Sequence, residues 1–315
     1  MSLDEQTRQF IERSTARPAP SPDSVPLSEF RAAVEPFRRL GFDREQLAEV
    51  RDLRCPGPEG RPVAARLYRP QADKPPPLVM WAHGGSWVRV TVDLLDGYFR
   101  FLARHSGCAV LAVDYGLSPE SQFPTAIEEV HAASVWARDH GAELGCDTGR
   151  LAIAGESSGG NLAAAVTLVA RDRGQLQFDH QLLLVPVLDV RFESRSWREL
   201  GRDYLLTVGQ LDWALGNYAP GADRSNPLLS PLCAESLAGL PPATVVVGEF
   251  DPLRDDGLSY AHRLRAAGVE ARLIDVDGLI HHAIMAPKAL PRGREAVTQV
   301  ADALAAAFKT GSTTS

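Results

Sequence analysis

The sequence predicts an α/β fold with a mostly parallel central sheet of about eight strands, flanked by helices. One observation is a series of short apolar runs of strand length, bounded by glycine, proline and polar residues. A second is that stretches of helix-forming residues separate these runs, which is the alternation typical of parallel sheets. A third is that 44% of the 315 residues are hydrophobic, which is ample for a core.

The N-terminal segment, residues 1–48, precedes this alternation. Residues 3–15 predict an amphipathic helix, and residues 27–40 predict a second helical stretch. Four prolines between them impose an extended link, namely Pro18, Pro20, Pro22 and Pro26. We therefore divide the chain into this segment and a main domain, residues 49–315.

Seven apolar runs predict strands of the main domain, at 63–68, 78–81, 109–114, 151–154, 182–187, 243–247 and 271–276. The connection between the fifth and sixth runs is too long for a simple crossover. Part of it, the insertion at residues 190–235, is rich in aromatic and charged residues. It predicts either a lid over a site or a helical insertion packed on the sheet, and we favour the lid.

Ser157 is the candidate nucleophile. It lies in the run Gly-Glu-Ser-Ser-Gly at 155–159, which fits the G-x-S-x-G pattern of a serine on a tight strand-to-helix turn. The flanking glycines leave room where a Cβ would clash with the strand or the helix. Five-residue matches arise often by chance. Here, however, an apolar run precedes the motif and an alanine-rich stretch follows it, and this context favours the catalytic interpretation.

A candidate acid and a candidate base follow in the chain order nucleophile, acid, histidine. Asp251 comes just after the sixth predicted strand, and His281 comes after the seventh. These are the strand ends from which active-site loops project. Asp251 also suits a helix-capping role, which is compatible with orienting an imidazole. Asp255 and His282 are the alternatives for the acid and the base.

A glycine-rich loop, His-Gly-Gly-Ser-Trp at 83–87, follows the second predicted strand. Backbone N–H groups in such a loop can face the negative charge that develops on a substrate oxygen, and glycine lets the main chain approach closely. We predict that the N–H donors of an oxyanion hole belong to Gly84, Gly85 and Ser158, the last being the residue after the candidate nucleophile.

Together these motifs resemble the hormone-sensitive-lipase-like branch of the α/β-hydrolases, which contains many bacterial carboxylesterases. The matching segments keep the family's order over most of the chain, at 83–87, 114–120, 123–124, 155–160, 204–207, 230–232, 251–255 and 278–281. The resemblance implies an α/β-hydrolase fold, capped by helices from the N-terminal segment and the insertion. It also implies ester hydrolysis by a triad of Ser157, His281 and Asp251 through an acyl-enzyme, with no metal and no organic cofactor.

The sequence departs from the family's usual pattern beside the predicted site. Ser86 stands where a third glycine is usual, and His282 with Ala283 replaces the usual Gly-Phe after the catalytic histidine. These changes imply a smaller and more polar pocket wall and a different substrate preference. The predicted substrate-binding residues are Trp87, Leu206, Ile280 and His282.

Composition excludes several kinds of partner. A net charge of −7 without a lysine- or arginine-rich run argues against nucleic acid and against an anionic membrane surface. The four cysteines have no C-x-x-C spacing, which argues against a zinc site or a disulfide framework. The N-terminus lacks the pattern of a signal peptide, and no run reaches the roughly 18 apolar residues of a membrane span. We expect a cytoplasmic protein that acts on a small-molecule ester, without stable membrane association.

Three functions fit these observations. The favoured one is hydrolysis of short- to medium-chain acyl esters by a serine carboxylesterase. A deacylase that tailors a secondary metabolite would use the same residues. A noncatalytic ligand-binding protein is disfavoured because all three triad positions are occupied. The oligomeric state stays open, with a homodimer among the alternatives.

Overall fold

The computed structural model describes residues 3–16 and 24–309, so the link predicted at Pro18, Pro20 and Pro22 lies outside the described residues. Within these ranges one sheet contains eight strands. They are β1 (Glu49–Pro56), β2 (Pro62–Arg69), β3 (Pro77–Ala82), β4 (Ala109–Asp114), β5 (Asp147–Glu156), β6 (His180–Leu184), β7 (Ala243–Phe250) and β8 (Ala271–Ile280).

The strand order is β1-β2-β4-β3-β5-β6-β7-β8. β2 runs antiparallel to both of its neighbours, and every other pairing is parallel. The predicted α/β fold is therefore confirmed, and each of the seven predicted strands is present. β1 is the strand that the seven runs lack, because it lies at the sheet edge and buries only Cys55 completely, so its sequence is charged rather than apolar.

Helices cover the sheet and make up most of the N-terminal segment and the insertion. In chain order they are α1 (Glu5–Ala16), α2 (Leu27–Ala32), α3 (Phe37–Leu40), α4 (Asp96–Ser106), α5 (Thr125–Asp139), α6 (Gly141–Leu144), α7 (Ser158–Arg173), α8 (Arg195–Leu200), α9 (Val208–Tyr218), α10 (Arg254–Ala266) and α11 (Pro291–Ala307). The predicted helical stretch at 27–40 is two short helices, separated by a turn that ends at Pro36.

Two layers of helix bury the two faces of the sheet. α5, α7 and α10 share one apolar cluster with it, and α4 and α11 share the other. The central strand β3 is buried along its whole length, which explains why its sequence is a continuous apolar run without alternation. This packing leaves the carboxyl ends of β5, β7 and β8 at one edge, where parallel α/β sheets carry their binding crevices.

The N-terminal segment and the insertion contact each other. The ring centroids of Phe30 in α2 and Trp213 in α9 lie 5.0 Å apart in an edge-to-face arrangement. Arg31 donates to the carbonyl oxygens of Val88 and Ser118 and forms a bidentate ion pair with Glu120. The segment is thus held against the loops that follow β3 and β4.

Neither described stretch, 3–16 or 24–309, contains a helix long and apolar enough to cross a membrane.

Two helical glycines test the packing of α10 on the sheet. A Cβ added at Gly257 would lie 2.4 Å from a side-chain methyl of Val247 in β7, whereas one added at Gly216 in α9 would meet nothing within 4 Å. We predict that Gly257→Ala lowers the free energy of unfolding by about 1–3 kcal/mol through overpacking. Gly216→Ala should raise it by about 0.5–1 kcal/mol through helix propensity. Denaturant titration measures both, and a stabilised Gly257→Ala variant would contradict the packing described.

Candidate active site

Ser157 occupies a strained turn between β5 and α7. Its backbone has φ 57° and ψ −122°, a conformation that side-chain-bearing residues rarely adopt. The turn is held because Ser157 N–H donates to Leu184 O at 2.9 Å. It is also tightly packed, since a Cβ added at Gly159 would lie 2.0 Å from Ala82 O at the end of β3. The geometry therefore requires glycine at this position and directs the serine side chain away from the sheet.

The structure brings Ser157, His281 and Asp251 together in one hydrogen-bonded line. Nε2 of His281 lies 3.0 Å from Oγ of Ser157, and Nδ1 lies 2.8 Å from Oδ2 of Asp251. Asp251 is completely buried, while Ser157 and His281 keep 7% and 6% of their surface exposed. With the proton on Nδ1 facing the carboxylate, Nε2 is free to accept the serine proton.

Neighbouring parallel strands position the two partners of Ser157. β7 and β8 pair in parallel with an irregularity between Gly248 and Phe250, so that Asp251 follows directly after β7. β8 runs four residues beyond its predicted end at 276, to Ile280, and His281 comes next. The carboxyl ends of these strands meet at one edge, which is why residues 30 positions apart in sequence touch.

The alternative acid and base lie outside this line. Asp255 accepts a hydrogen bond from Ser196 N–H at 2.9 Å, so its carboxylate serves the insertion. His282 stacks on Phe37 with centroids 6.2 Å apart, and its Nδ1 is buried without a partner in the described residues. Burial, with added repulsion from His281 and Arg89, lowers the pKa of His282 to about 3. His282 is therefore neutral and faces away from Ser157.

The geometry corrects the predicted oxyanion donors in one respect. Gly84 N–H donates to Oε1 of Glu156 at 2.6 Å and is not free to bind a substrate oxygen. By contrast, the N–H groups of Gly85, Ser86 and Ser158 donate to no acceptor in the described part of the chain. Positive φ at Gly85 and Ser86, 106° and 56°, turns the loop into a concave row of amides. Ser86 therefore takes the place of Gly84 among the candidate donors.

Glu156 is a site residue that sequence reasoning missed. It is buried between β5 and the loop after β3, and its carboxylate accepts from Trp81 Nε1 at 2.5 Å as well as from Gly84. Burial raises its pKa to about 7. A carboxylate inside the G-x-S-x-G motif was the available signal, because a buried carboxylate needs donors and the neighbouring loop offers them.

Further contacts fix the same loop. Tyr115 donates from its hydroxyl to His83 O at 2.6 Å, and the two rings stack with centroids 4.3 Å apart. Trp87 N–H donates to Oγ of Ser158 at 3.2 Å. The loop amides are thus anchored to β4 and to α7, and they keep their orientation without a bound substrate.

Three of the four predicted substrate-binding residues belong to the core. Trp87 and Ile280 are 0% exposed and Leu206 is 4% exposed, so their side chains offer almost no surface to a ligand. The Trp87 indole stacks on Tyr218 with centroids 4.9 Å apart and planes 2° apart. Large apolar side chains near a site more often pack than bind, and these three do. His282, the fourth, lines a cavity.

That cavity has a volume of about 630 Å³ and lies between the N-terminal segment, the insertion and the sheet edge. Its apolar surface comes mainly from Phe10, Val34, Phe37, Leu40 and Leu205. Its polar surface includes Arg89, Arg202, Asp203, Gln210 and His282. The cavity adjoins the triad, because His282 follows His281 and Arg89 belongs to the turn that carries the free loop amides.

Within residues 3–16 and 24–309, no group of three or more His, Cys, Asp or Glu side chains is placed to hold a metal ion.

Comparison with known proteins adds independent information. A family model described as alpha/beta hydrolase fold matches residues 79–285. The arylesterase of Saccharolobus solfataricus is 35% identical over 290 residues, which cover 91% of this chain and 94% of that protein. LipN, a carboxylic ester hydrolase of Mycobacterium tuberculosis, is 42% identical over 240 residues. That alignment covers 74% of this chain and 64% of LipN, just under two thirds of its length.

Solved structures are similar over nearly the whole chain. A hyperthermophilic esterase from the archaeon Pyrobaculum calidifontis superposes with a TM-score of 0.91 at 36% identity, covering 97% of this chain and 99% of that one. A mutant of LAE6, an alpha/beta hydrolase enzyme from the metagenome of Lake Arreo in Spain, gives 0.92 at 33% identity, with 98% and 99% covered.

The raised pKa of Glu156 predicts a pH-dependent stability. Between about pH 4.5 and pH 7 the folded state binds a proton at Glu156 that the unfolded state has released, so wild-type stability falls as pH rises. Glu156→Gln removes this titration. We predict that the unfolding free energy of wild type minus that of Glu156→Gln decreases by up to about 3 kcal/mol across this window. It should level off above it.

Urea titrations of both proteins from pH 4.5 to pH 8 measure this difference. Groups that titrate in both proteins cancel, whatever the constant effect of the lost carboxylate. A difference that stays constant with pH, or that grows as pH rises, would contradict a buried carboxylate at this position.

Proposed function

Because the chain belongs to the hormone-sensitive-lipase-like family of α/β-hydrolases and is a carboxylic ester hydrolase, we propose that Ser157, His281 and Asp251 are its catalytic triad. The observation that carries this proposal is the hydrogen-bonded line from Asp251 through His281 to Ser157, with steps of 2.8 Å and 3.0 Å. The strained turn that presents Ser157 supports it, since such strain concentrates at functional sites.

The first half-reaction acylates Ser157. Its Oγ attacks the ester carbonyl carbon while its proton passes to Nε2 of His281, and Asp251 stabilises the imidazolium that forms. The carbonyl oxygen becomes an anion that accepts hydrogen bonds from the free amides of the oxyanion loop and α7. When the carbonyl re-forms, the ester C–O bond breaks and the leaving alcohol takes the proton from His281.

The second half-reaction releases the acid. Water attacks the acyl carbon and gives its proton to His281, so the same imidazole is again the base. The same amides stabilise the second tetrahedral oxyanion. Collapse of this intermediate breaks the bond to Ser157 Oγ, which recovers its proton from His281. Each proton and bond is thereby restored, and the enzyme is ready for another ester.

The finer substrate range follows from the cavity. A volume of about 630 Å³ lies within the range of small-molecule sites, and its apolar lining suits an acyl chain. We therefore propose that the enzyme acts on short- to medium-chain acyl esters. The names of its relatives, among them the arylesterase and an ethyl acetate hydrolase of Pseudomonas putida, agree with small esters.

We also propose that the N-terminal segment and the insertion together form the cap of the active site. Both line the cavity, through Phe37 from the one and Leu205 from the other. The contact of Phe30 with Trp213 joins them over that cavity, and Arg31 ties the segment to the loops beneath. These contacts support a role in closing the site against bulk water.

Replacing the nucleophile tests the triad. We predict that Ser157→Ala lowers kcat on a simple aryl ester by about 10⁴-fold or more, because the triad acts as a unit. Ser236→Ala, at an exposed loop serine, is the matched control and should keep wild-type turnover. Steady-state kinetics with 4-nitrophenyl butyrate measures both. Near-normal turnover by Ser157→Ala would force a different nucleophile.

A series of acyl chain lengths tests the size of the substrate. We predict that kcat/KM for 4-nitrophenyl esters is highest between acetate and octanoate and falls for palmitate, because the cavity cannot enclose a long chain. Equal or higher efficiency with palmitate, measured below its micelle-forming concentration, would contradict the proposed substrate range.

A further inference from the structure

We propose that the preferred substrates of this enzyme are esters that carry a carboxylate, and that Arg89 binds this carboxylate in the cavity beside the triad. The proposal deepens the ester-hydrolase function proposed above and rests on it. It makes Arg89 a specificity-determining residue that touches the substrate away from the scissile bond.

Arg89 is placed close to the reacting groups. Its N–H donates to Gly85 O at 3.0 Å, so it belongs to the same turn as the candidate oxyanion amides of Gly85 and Ser86. Its side chain lines the 630 Å³ cavity together with His282, the neighbour of His281. A group bound to the guanidinium would therefore sit in the same cavity as the rest of the substrate.

The backbone around Arg89 is held in an unfavourable conformation. Ser86, Trp87 and Val90 have φ of 56°, 59° and 77°, and a β-branched residue such as Val90 is a strong outlier there. On the other side, Val88 O accepts a hydrogen bond from Arg31 Nε at 2.8 Å. Because surrounding contacts maintain this strain, the turn fixes where the Arg89 side chain begins, as a binding site requires.

The Arg89 guanidinium lacks an anionic partner. In the described residues its side chain makes no hydrogen bond and no ion pair, and its one recorded contact is with the Phe30 ring, 4.9 Å from Cζ. Burial lowers its pKa. Arg31, one turn away in the fold, shows the usual arrangement, with a bidentate carboxylate from Glu120.

A desolvated guanidinium with unsatisfied N–H groups costs free energy unless something supplies acceptors. A carboxylate matches its planar fork with two parallel hydrogen bonds. A substrate that brings one would recover that cost in the cavity, which gives discrimination against uncharged esters. The ring of Phe30 supports one face of the guanidinium and leaves its edge for such bonds.

The other charged groups of the cavity favour an anion. His282 is neutral, Arg202 adds a second positive charge from the insertion, and Asp203 is the acidic side chain of the described lining. Both Arg202 and Asp203 are exposed, where solvent screens them, whereas Arg89 is half-buried. The field inside the cavity is therefore set mainly by Arg89.

Paired substrates test the proposal by turnover. One pair carries the charge on the acyl side, the 4-nitrophenyl monoester of adipic acid and its methyl-capped diester. The other carries it on the alcohol side, 4-carboxyphenyl hexanoate and its methyl ester. For each pair the ratio of kcat/KM, charged over neutral, is compared among proteins, so that intrinsic reactivity cancels. The variants are Arg89→Met, Arg89→Lys and, as a control for surface charge, Arg61→Met.

We expect Arg89→Met to lower this ratio by about tenfold or more for at least one pair, the size of a lost charge-assisted hydrogen bond. Arg89→Lys should fall between wild type and Arg89→Met, because it keeps the charge but not the fork. Arg61→Met, at an exposed turn, should leave the ratio unchanged. Equal ratios in wild type and Arg89→Met for both pairs would overturn the proposal.

A binding measurement decides the point without turnover. Titration calorimetry of Ser157→Ala with monomethyl adipate and with dimethyl adipate should show tighter binding of the charged ester, and Arg89→Met in the same background should remove the difference. Equal affinity for the two esters would overturn the proposal even if Arg89→Met failed to fold. If wild type hydrolysed none of the neutral esters, the proposed function would fail, and this titration would still decide the role of Arg89.

Discussion

The close approach of α7 to the end of β3 is the constraint on which the active site depends. Only a glycine fits at position 159, because a Cβ there would overlap Ala82 O. The contact forces the sharp turn that strains Ser157, and it brings Glu156 within reach of the following loop. Glu156 then occupies Gly84 N–H and leaves the next amides free. Nucleophile and oxyanion donors are thus positioned by one packing event between a strand and a helix.

The cavity beside this turn combines two kinds of surface. Apolar side chains from α1, α2, α3 and the insertion surround most of it, and they suit the carbon chain of an acyl ester. The guanidinium of Arg89 is the exception, and it comes from the same strained loop as the oxyanion amides. One loop therefore supports both parts of the account, the chemistry common to ester hydrolases and a selectivity that is particular to this chain.

Much of the fold and the triad positions could be predicted from the sequence because their signals are local. Buried strands are apolar runs, and Ser157, Asp251 and His281 each follow one such run. β1 gave no such signal, since an edge strand keeps its charged residues in solvent. The donor set was predicted incorrectly at Gly84, because which amide stays free depends on a carboxylate that lies 72 positions away. For the same reason Trp87 and Ile280, placed in the pocket by proximity in sequence, lie in the core.

A crystal structure of the enzyme treated with an alkyl fluorophosphonate tests the central claim most directly, because the phosphonyl adduct mimics the tetrahedral intermediate. The account predicts phosphorus bonded to Oγ of Ser157, with the phosphonyl oxygen about 2.7–3.1 Å from the N–H groups of Gly85, Ser86 and Ser158. Gly84 N–H should stay bonded to Glu156. Phosphorus on another residue, or an oxygen bound by Gly84 with Glu156 displaced, would contradict it.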